Sequence, residues 1–378
     1  MFDIVIIGAG LAGSTLAERF ASSGKKVLLI ERRQHIAGNC YDEVDDNGIL
    51  IHKYGPHLFH TDSAQVWEYL SRFTEWHLYF HRVKAVIDGK PVPLPFNFNT
   101  LHEVFPPSLA DKLETTLFKN FEYGKKIPIL ELKKSSDADL QFLADFIYEK
   151  IFLHYSEKQW GISPDKISGA VTARVPVLIG RDDNYFGDRF QAMPKYGYTK
   201  LVKNMLNHKN IKLLLNTDFH EVMNLRGEEI YLFGQKFNGR LIYTRQLDEL
   251  FDKKFGELPY RSIEMEYESV DTEFFQSAPV VNYPNNYDFT RITEFKQIHP
   301  AKTPRTTILR EYPLPYVAGK NEPYYPIFTD AARAIYEKYS AELARFKNIT
   351  AVGRLAEYRY FDIDDVVKRA LDVFEALN

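Results

Sequence analysis

The sequence predicts an α/β fold: a doubly wound Rossmann-like domain with an inserted helical domain and an antiparallel sheet domain. Three observations predict it. A glycine-rich turn joins an apolar strand to a helix at the start of the chain, a 3.6-residue apolar period runs through the middle, and alternating apolar and polar residues occupy much of the second half. The chain also closes with strand, turn and helix, as it opens.

The chain begins with the pattern of a βαβ unit. Residues 2–7 form an apolar, β-branched run that is typical of a buried parallel strand, and the glycine-rich turn 8–13 follows directly. A helix is predicted over residues 14–21 and ends at Gly24. A second buried strand, 26–30, then leads to an acidic residue.

The glycine spacing in this unit indicates a dinucleotide site. Gly8 permits a tight turn, Gly10 lets the backbone approach a pyrophosphate, and Gly13 lets helix and strand pack closely. Glu31 lies 18 residues after the last glycine, a spacing that suits an acid reaching a ribose hydroxyl. We expect the N–H groups at the start of the helix to bind the phosphates of an ADP-containing ligand.

The residues after Glu31 favour FAD over NAD as that ligand. Arg32 and Arg33 precede a small-residue turn, Ile36-Ala37-Gly38-Asn39, and this combination suits an extended cofactor whose pyrophosphate and ribityl chain run along the backbone. We expect Arg33 to be a solvent-exposed charge of the loop.

Composition limits the other possibilities. Apolar residues make up 45% and charged residues 26% of the 378 residues, and the net charge is −3, so no global basic field exists for nucleic acid or anionic membrane. The single cysteine, Cys40, excludes a disulfide framework and a cysteine-rich metal site. Residues 4–17 lack the basic region of a signal peptide, and no apolar run reaches the ~20 residues of a membrane span. We expect a cytoplasmic protein.

Period and turn signals also divide the rest of the chain. A hairpin is predicted over 80–94, a helical segment over 100–155, and a long loop over 156–184 that has the character of a lid. The expected domains are a dinucleotide-binding domain of 1–76, 196–240 and 326–378, a helical domain of 100–195 with a mobile substrate loop at about 163–182, and a sheet domain of 77–99 and 241–325.

Several side chains could carry chemistry. Arg174, in the predicted loop, and Arg291, in a predicted strand, would balance a diphosphate if they converged, although the sequence alone favours a surface charge for each. Tyr155 and Trp160 end a helix beside the loop, where they either stack on a ring or belong to the core.

No metal, triad or cysteine nucleophile is indicated. His57 and His60 are spaced as metal ligands, a base or pocket walls, but His-Glu-x-x-His and Gly-x-Ser-x-Gly motifs are absent. Cys40 has neither a basic neighbour nor a following helix start.

A set of motifs runs along the whole chain: Gly8-Ala9-Gly10-Leu11-Ala12-Gly13, Tyr54–Thr61, Lys158-Gln159-Trp160, Asp183-Asn184-Tyr185-Phe186, Met193-Pro194 with Gly197-Tyr198, Thr290-Arg291-Ile292-Thr293-Glu294, Tyr324-Tyr325-Pro326-Ile327, and Gly353-Arg354-Leu355 with Tyr358-Arg359-Tyr360. Taken together, these motifs resemble those of the UDP-galactopyranose mutases, a flavoenzyme family. One departure is Ala37, where the family pattern has the first of two glycines before Asn39.

The resemblance implies a reaction that composition could not. Such an isomerase interconverts UDP-galactopyranose and UDP-galactofuranose, for galactofuranose biosynthesis and cell-surface polysaccharide, with FAD that must be reduced by an external electron donor. N5 of the flavin attacks the anomeric carbon, UDP leaves, and a flavin-sugar iminium recloses through the other hydroxyl. The resemblance further suggests a homodimer without nucleic-acid or membrane partners.

It also implies roles by position. Arg174 and Arg291 would hold the diphosphate, with His60 against the isoalloxazine near the reacting carbon. Substrate-binding residues would be Phe152, Tyr155, Trp160, Arg174, Tyr185, Arg291, Tyr325 and Tyr360. Cofactor-binding residues would be Gly8, Gly10, Ala12, Gly13, Glu31, Arg32, Gly38, Asn39, His57, Arg354, Asp362 and Ile363.

Two other functions share the N-terminal unit. One is an FAD-dependent amine oxidase or dehydrogenase, and the other is a binding module without activity, as in guanine-nucleotide dissociation inhibitors. Bound flavin would exclude the binding module, and isomerisation that requires a reductant would separate the mutase from the oxidase.

Overall fold

The computed structural model describes residues 2–161 and 176–378. The strands of this part of the chain are β1 Ile4–Ile7, β2 Val27–Ile30, β3 Asp42–Val44, β4 Leu50–His52, β5 Phe59–Thr61, β6 Trp76–Leu78, β7 Val83–Ile87, β8 Lys90–Leu94, β9 Lys126–Pro128, β10 Pro176–Leu178, β11 Phe190–Pro194, β12 Ile211–Leu214, β13 Met223–Arg226, β14 Glu229–Leu232, β15 Gln235–Phe237, β16 Arg240–Tyr243, β17 Tyr260–Val270, β18 Val280–Asn282, β19 Arg291–Glu294, β20 Thr306–Pro315, β21 Tyr325–Pro326 and β22 Ile349–Ala351.

The α-helices of the same residues are α1 Leu11–Ser22, α2 Ala64–Ser71, α3 Phe98–Val104, α4 Pro107–Asn120, α5 Ile129–Leu132, α6 Ala138–Ile147, α7 His154–Trp160, α8 Gly197–Met205, α9 Phe219–Val222, α10 Leu247–Leu250, α11 Asp330–Leu343 and α12 Ile363–Leu377. Tyr148–Leu153 is a π-helical segment that joins α6 to α7. None of these helices combines the length and apolar character that crossing a membrane requires.

A five-stranded parallel sheet, ordered β12-β2-β1-β16-β22, forms the doubly wound domain. Successive residues of β1 pack into two different cores. Ile4 and Ile6 pack with α1 and α12 on one face, whereas Val5 and Ile7 pack with α11 on the other. Because both faces are covered, the strands carry continuous apolar sequence rather than an alternating pattern.

The boundary expected after residue 240 lies inside a strand of this sheet. Strand β16 pairs in parallel with β1, and its Leu241, Ile242 and Tyr243 are fully buried. Residues 241–243 therefore belong to the parallel sheet and not to the predicted sheet domain. Their apolar run fits a central strand with a core on each side.

The second large sheet has seven strands in the order β21-β17-β20-β19-β18-β7-β8. It is mixed rather than purely antiparallel, since β18 runs parallel to β7. The predicted hairpin is present as β7 and β8, joined by Asp88 and Gly89 with φ of 48° and 82°. Two positive φ values are what a two-residue hairpin turn of the favoured type requires.

The middle of the chain is helical, with a buried apolar stripe that includes Leu140, Leu143 and Ile147. The loop predicted from residue 156 begins later than expected, because α7 continues to Trp160 and ends at Gly161 in the left-handed conformation. Of the predicted substrate loop, residues 163–175 lie outside the described part of the chain, and Pro176–Leu178 form a strand paired with β9.

Candidate active site

The glycine turn after β1 is built by close backbone contacts. Gly8 has φ of +102°, and a Cβ on it would lie 2.2 Å from Thr244 Oγ1. A Cβ on Gly13 would lie 1.9 Å from the Gly8 carbonyl oxygen. Both positions therefore exclude larger residues, the first for the turn and the second for packing of α1 on the strand. Gly13 does this packing without facing the cavity described below.

A second turn meets the first at Gly10. Ala37 N–H donates to the Ala9 carbonyl at 2.9 Å, and a Cβ on Gly38 would approach Gly10 Cα to 2.9 Å. Ala37 itself has φ of 72°, the left-handed conformation that glycine adopts most readily. This explains physically why the family pattern has glycine there, and it shows that the departure at Ala37 leaves the turn intact.

Glu31 ties the two turns together. Its Oε2 accepts from Ala9 N–H at 2.8 Å and its Oε1 from Arg33 N–H at 2.9 Å. The carboxylate is 7% exposed and faces the same cavity as Gly10. Each oxygen keeps a second lone pair for a hydroxyl donor. The side chain can thus fix the turn and still accept from a ligand.

The arginine pair corrects one expectation. Arg33 is not a solvent-exposed charge: its guanidinium bonds Glu322 and Asn39 and lies 4.3 Å from the centre of the Tyr54 ring. Burial opposes its charge, but Glu322, Tyr54 and Glu31 together hold the arginine pKa above its ordinary value. Arg32 also bonds Glu322. The loop containing Glu322 therefore closes over the end of the dinucleotide unit.

The closing strand, turn and helix bring in three predicted residues. Asp362 caps α12 through a reciprocal bond with Asp365, and Ile363 begins the helix. Arg354 lies 5.3 Å from the centre of the Tyr325 ring, and no carboxylate of residues 2–161 or 176–378 pairs with its guanidinium. Its positive charge therefore faces the cavity beside the start of α12.

Both predicted histidines line the same cavity as the glycine turns. His57 Nδ1 lies 2.8 Å from the Gly55 carbonyl, which requires a proton on that nitrogen and leaves Nε2 as an acceptor. Burial and the nearby Arg354 lower the pKa of His57 to about 4, so the ring is neutral at pH 7. His60 stacks on Phe186 with ring centres 3.7 Å apart.

Arg291 extends from β19 and is anchored by a buried carboxylate. Its Nε donates to Glu311 Oε1 at 2.8 Å, and the Glu311 side chain is only 1% exposed. Burial disfavours the guanidinium charge, but Glu311 and the phenols of Tyr155 and Tyr325 keep its pKa above the ordinary value. The two Nη groups have no hydrogen-bonding partner in the described chain, and Arg291 lines the cavity described below.

Tyrosines surround this guanidinium. Tyr325 and Tyr360 stack with ring centres 6.0 Å apart and an interplanar angle of 9°. Tyr185 meets His81 edge-on at 5.8 Å. Burial raises the pKa of Tyr155, so its phenol remains a hydrogen-bond donor at any physiological pH. These O–H groups and the guanidinium form a set of donors suited to phosphate oxygens.

Phe152 lines a smaller neighbouring cavity of about 100 Å³. Tyr155, Tyr185 and Asn282 line both this cavity and the larger one. Its walls are mostly apolar, with Leu94, Pro95, Ile151 and Pro284 among them. The arrangement suits a flat ring that is held by an aromatic residue and reached by a few polar groups.

Two predicted residues are placed differently. Trp160 does not line either cavity; it packs against Tyr325 and Phe328, with its ring centre 6.1 Å from that of Tyr325. Trp160 therefore supports Tyr325, which lines the larger cavity, and does not itself form part of the cavity wall. Arg174 lies outside the described residues, so only Arg291 of the expected arginine pair is placed.

Sequence reasoning missed His81 and Glu311. His81 is 3% exposed, bonds Tyr79 through Nδ1 at 2.8 Å and lines the cavity. Burial and the charge of Arg291 lower its pKa to about 3. Neither residue belongs to a local motif. The alternating pattern of the strand that contains Glu311 could have placed this residue on one face of the sheet. No local signal indicated that its partner is Arg291.

One cavity of about 570 Å³ joins these parts. It runs from the glycine turns and Glu31, past His57, His60 and Arg354, to Arg291. The residues lining it come from the beginning, the middle and the end of the chain. It can hold an extended dinucleotide with a second anionic ligand at the arginine end.

Comparisons with known proteins fit this geometry. The model of the UDP-galactopyranose mutase family matches residues 150–360, and that of NAD(P)-binding Rossmann-like domains matches residues 6–73. A probable UDP-galactopyranose mutase of Klebsiella pneumoniae is 35% identical over 98% of this chain and 93% of its own. A dTDP-fucopyranose mutase of Escherichia coli is 33% identical over 98% of this chain and 97% of its own.

A solved structure supports the same fold. The crystal structure of a reduced UDP-galactopyranose mutase superposes with a TM-score of 0.76 at 16% identity, over 100% of this chain and 94% of the other. The family match covers more than half of the chain, and identity above 30% extends over almost all of it. The chain belongs to the UDP-galactopyranose mutase family.

Proposed function

We propose that this protein is an FAD-dependent mutase that interconverts UDP-galactopyranose and UDP-galactofuranose. The observation that carries the proposal is the single cavity that connects the dinucleotide turn to Arg291 and its tyrosines. A nucleotide sugar at the arginine end would place its anomeric carbon between its diphosphate and a cofactor extending from the turn. Family membership supports this chemistry, and the cavity offers it a location.

The residues present fit FAD. Gly10 and Gly38 pack so closely that a Cβ on Gly38 would lie 2.9 Å from Gly10 Cα, and both line the cavity with backbone that a pyrophosphate can approach. The first turn of α1 has neither a side-chain cap nor an acidic residue, so its N–H groups are free for phosphate. Glu31 and Arg354 line the cavity between the glycine turns and Arg291. When bound and reduced, FAD supplies the nucleophile for the anomeric carbon, without net redox change.

The chain's own residues would bind and orient the substrate. Arg291, held by Glu311, presents its two Nη groups to the diphosphate and keeps its charge at every working pH. Phenols of Tyr185, Tyr325 and Tyr360 line the same region as further donors. These donors would stabilise the negative charge that develops on the diphosphate as the nucleotide leaves. Such electrostatic stabilisation would contribute more to the departure of a diphosphate than a proton transfer would.

The pyrimidine base would occupy the smaller cavity. Tyr155 borders both cavities, so it can stack on the base while its neighbour Phe152 closes the apolar wall. Arg174 would complete the diphosphate site by the family resemblance. His57, neutral with Nε2 as acceptor, and His60, stacked on Phe186, would line the cofactor end.

A second substrate has specific support. The relative from Escherichia coli is named a dTDP-fucopyranose mutase, and it is about as similar to this chain as the Klebsiella protein is. The two substrates differ by a methyl group on the base, by ribose or deoxyribose, and by a hydroxyl on the sugar. We favour the UDP-galactose reaction on the family match and test both.

The deciding experiment is anaerobic incubation of the dithionite-reduced protein with UDP-galactofuranose or with dTDP-fucofuranose, followed by product analysis. We expect the purified protein to be yellow and to form UDP-galactopyranose only after reduction. Exclusive conversion of dTDP-fucofuranose would reassign the substrate. Bleaching of oxidised flavin by an amine, without isomerisation, would support the oxidase instead.

A colourless preparation that cannot be reconstituted with FAD would refute the flavin-dependent proposal altogether. A variant with Arg291→Ala separates substrate from cofactor binding. It should keep its flavin while losing turnover.

A further inference from the structure

A half-buried ammonium group lies behind the substrate end of the cavity. Lys158 Nζ donates to three backbone carbonyls, those of Tyr283 at 2.5 Å, Tyr287 at 3.0 Å and Phe289 at 3.1 Å. An ammonium has three donors, so this set uses all of them. The three acceptors belong to one loop, residues 283–290, that connects β18 to β19.

This contact connects two walls of the proposed substrate site. Lys158 is on α7, one turn after Tyr155, which borders both cavities. The loop that it binds lies between Asn282, another residue shared by the cavities, and Arg291. The spacing between the residue proposed for the base and the residue proposed for the diphosphate is therefore set through Lys158.

A positive charge is needed at this point because three carbonyl oxygens converge. Their partial negative charges repel one another unless a cation lies between them. The rings of Tyr283, Tyr287 and Phe289 pack against each other beside the loop, with centres 4.8–5.5 Å apart. The charge is thus partly shielded from water, and burial lowers the pKa of Lys158 to about 8.

The end of α7 is held independently from the other side. Arg261 donates through Nε to the Gln159 carbonyl at 3.0 Å and through Nη2 to the Lys158 carbonyl at 3.1 Å. The helix terminus therefore stays capped if the ammonium is removed. Loss of the Lys158 side chain is expected to release the loop and not to unfold the helix.

We propose that Lys158 is a positioning residue for nucleotide binding, which fixes the helix of Tyr155 against the loop that leads to Arg291. The inference rests on the proposed function, because it concerns the binding of a nucleoside diphosphate at that site. Lys158 itself contacts neither cavity. Its effect is to keep the two binding elements at the spacing that base and diphosphate require together.

Among residues 2–161 and 176–378, a few charged or titratable groups lie around the ammonium. The loop contributes Asp288, whose charge favours the ammonium, and the phenols of Tyr283 and Tyr287. Strand β17 contributes Arg261, and on α7 itself His154 pairs with Glu157 at 3.3 Å. Carboxylates and guanidinium groups do not change charge between pH 7 and pH 9. Lys158 does, so the loop should lose its clamp over that interval.

The test measures UDP binding to the FAD-loaded protein by calorimetry at pH 7 and at pH 9. We expect Lys158→Met to weaken UDP binding about tenfold at pH 7, as for the loss of charged hydrogen bonds. The wild-type protein should weaken by a similar factor between pH 7 and pH 9. Lys158→Met should show no such fall, since the titrating group is gone, and any titration of UDP is common to both proteins.

Two further variants complete the design. Lys158→Arg keeps a charge and several donors through pH 9, so it should bind UDP within about threefold of wild type at pH 7 and lose the alkaline fall. Lys150→Met is the matched control: that lysine pairs with exposed Asp88 at 2.8 Å, near the same loop, and its removal should leave UDP binding unchanged.

The outcomes separate this inference from the proposed function. Binding of UDP by Lys158→Met as tightly as by wild type would overturn the inference, as would an unchanged alkaline fall in that variant or in Lys158→Arg. The second variant decides the matter if the first does not fold. Failure of the wild-type protein to bind UDP or dTDP would overturn the proposed function itself.

Discussion

The pair formed by Arg291 and Glu311 predicts that a substitution in the substrate site will also change the stability of the fold. In Arg291→Ala the Glu311 carboxylate, 1% exposed, would lose the guanidinium 2.8 Å away. Removing one partner of a buried pair costs about 3–5 kcal/mol. A quarter of the Arg291 side chain is exposed, so we take the lower end, about 3 kcal/mol of unfolding free energy.

Urea unfolding of both proteins at pH 8 measures this loss, with flavin content recorded alongside. The double variant Arg291→Ala/Glu311→Gln is the control: it should recover most of the stability, because the buried charge is gone, while nucleotide binding stays weak. Equal stability of Arg291→Ala and wild type at pH 8 would refute the reasoning. So would a double variant no more stable than the single one.

Three further outcomes are expected. In Gly38→Ala, at a φ of +57°, the new Cβ would approach Gly10 Cα to 2.9 Å, and the flavin retained after purification should fall at least tenfold. The control Gly24→Ala, at a φ of +93° with no atom within 4 Å of the new Cβ, tests the effect of backbone strain alone and should keep its flavin. Burial lowers the pKa of His299 to about 4, so its contribution to the stability of the fold is complete above pH 6.5 and is lost as the pH falls towards 4. The variant His299→Gln should therefore lose up to about 3 kcal/mol of the change in unfolding free energy that the wild type shows between pH 6.5 and pH 4. Arg174→Ala should reduce kcat/KM by tenfold to a few hundredfold, about 1.5–3 kcal/mol, with normal flavin absorbance; loss of flavin would contradict that placement.

Local pattern was enough for the opening unit. A buried strand, a glycine turn, a helix and an acid follow one another within about thirty residues, and each has a steric or electrostatic reason that acts between neighbours in sequence. The hairpin turn at Asp88-Gly89 is predictable for the same reason. The end of the α7 helix was misplaced because the sequence from 156 onward is rich in loop-forming residues, although Gly161 marks the actual end.

The sequence by itself therefore determined the doubly wound unit, the position of its dinucleotide turn and, through motifs along the whole chain, the family. Only the tertiary structure decided which distant side chains meet. Arg33 is partly buried and paired because Glu322, 289 residues away, binds its guanidinium. Arg291 is anchored by Glu311 on the neighbouring strand, and Lys158 holds a loop more than a hundred residues away. A charge cannot be classified as exposed or paired from its neighbours in sequence, because its partner is chosen by packing and strand register.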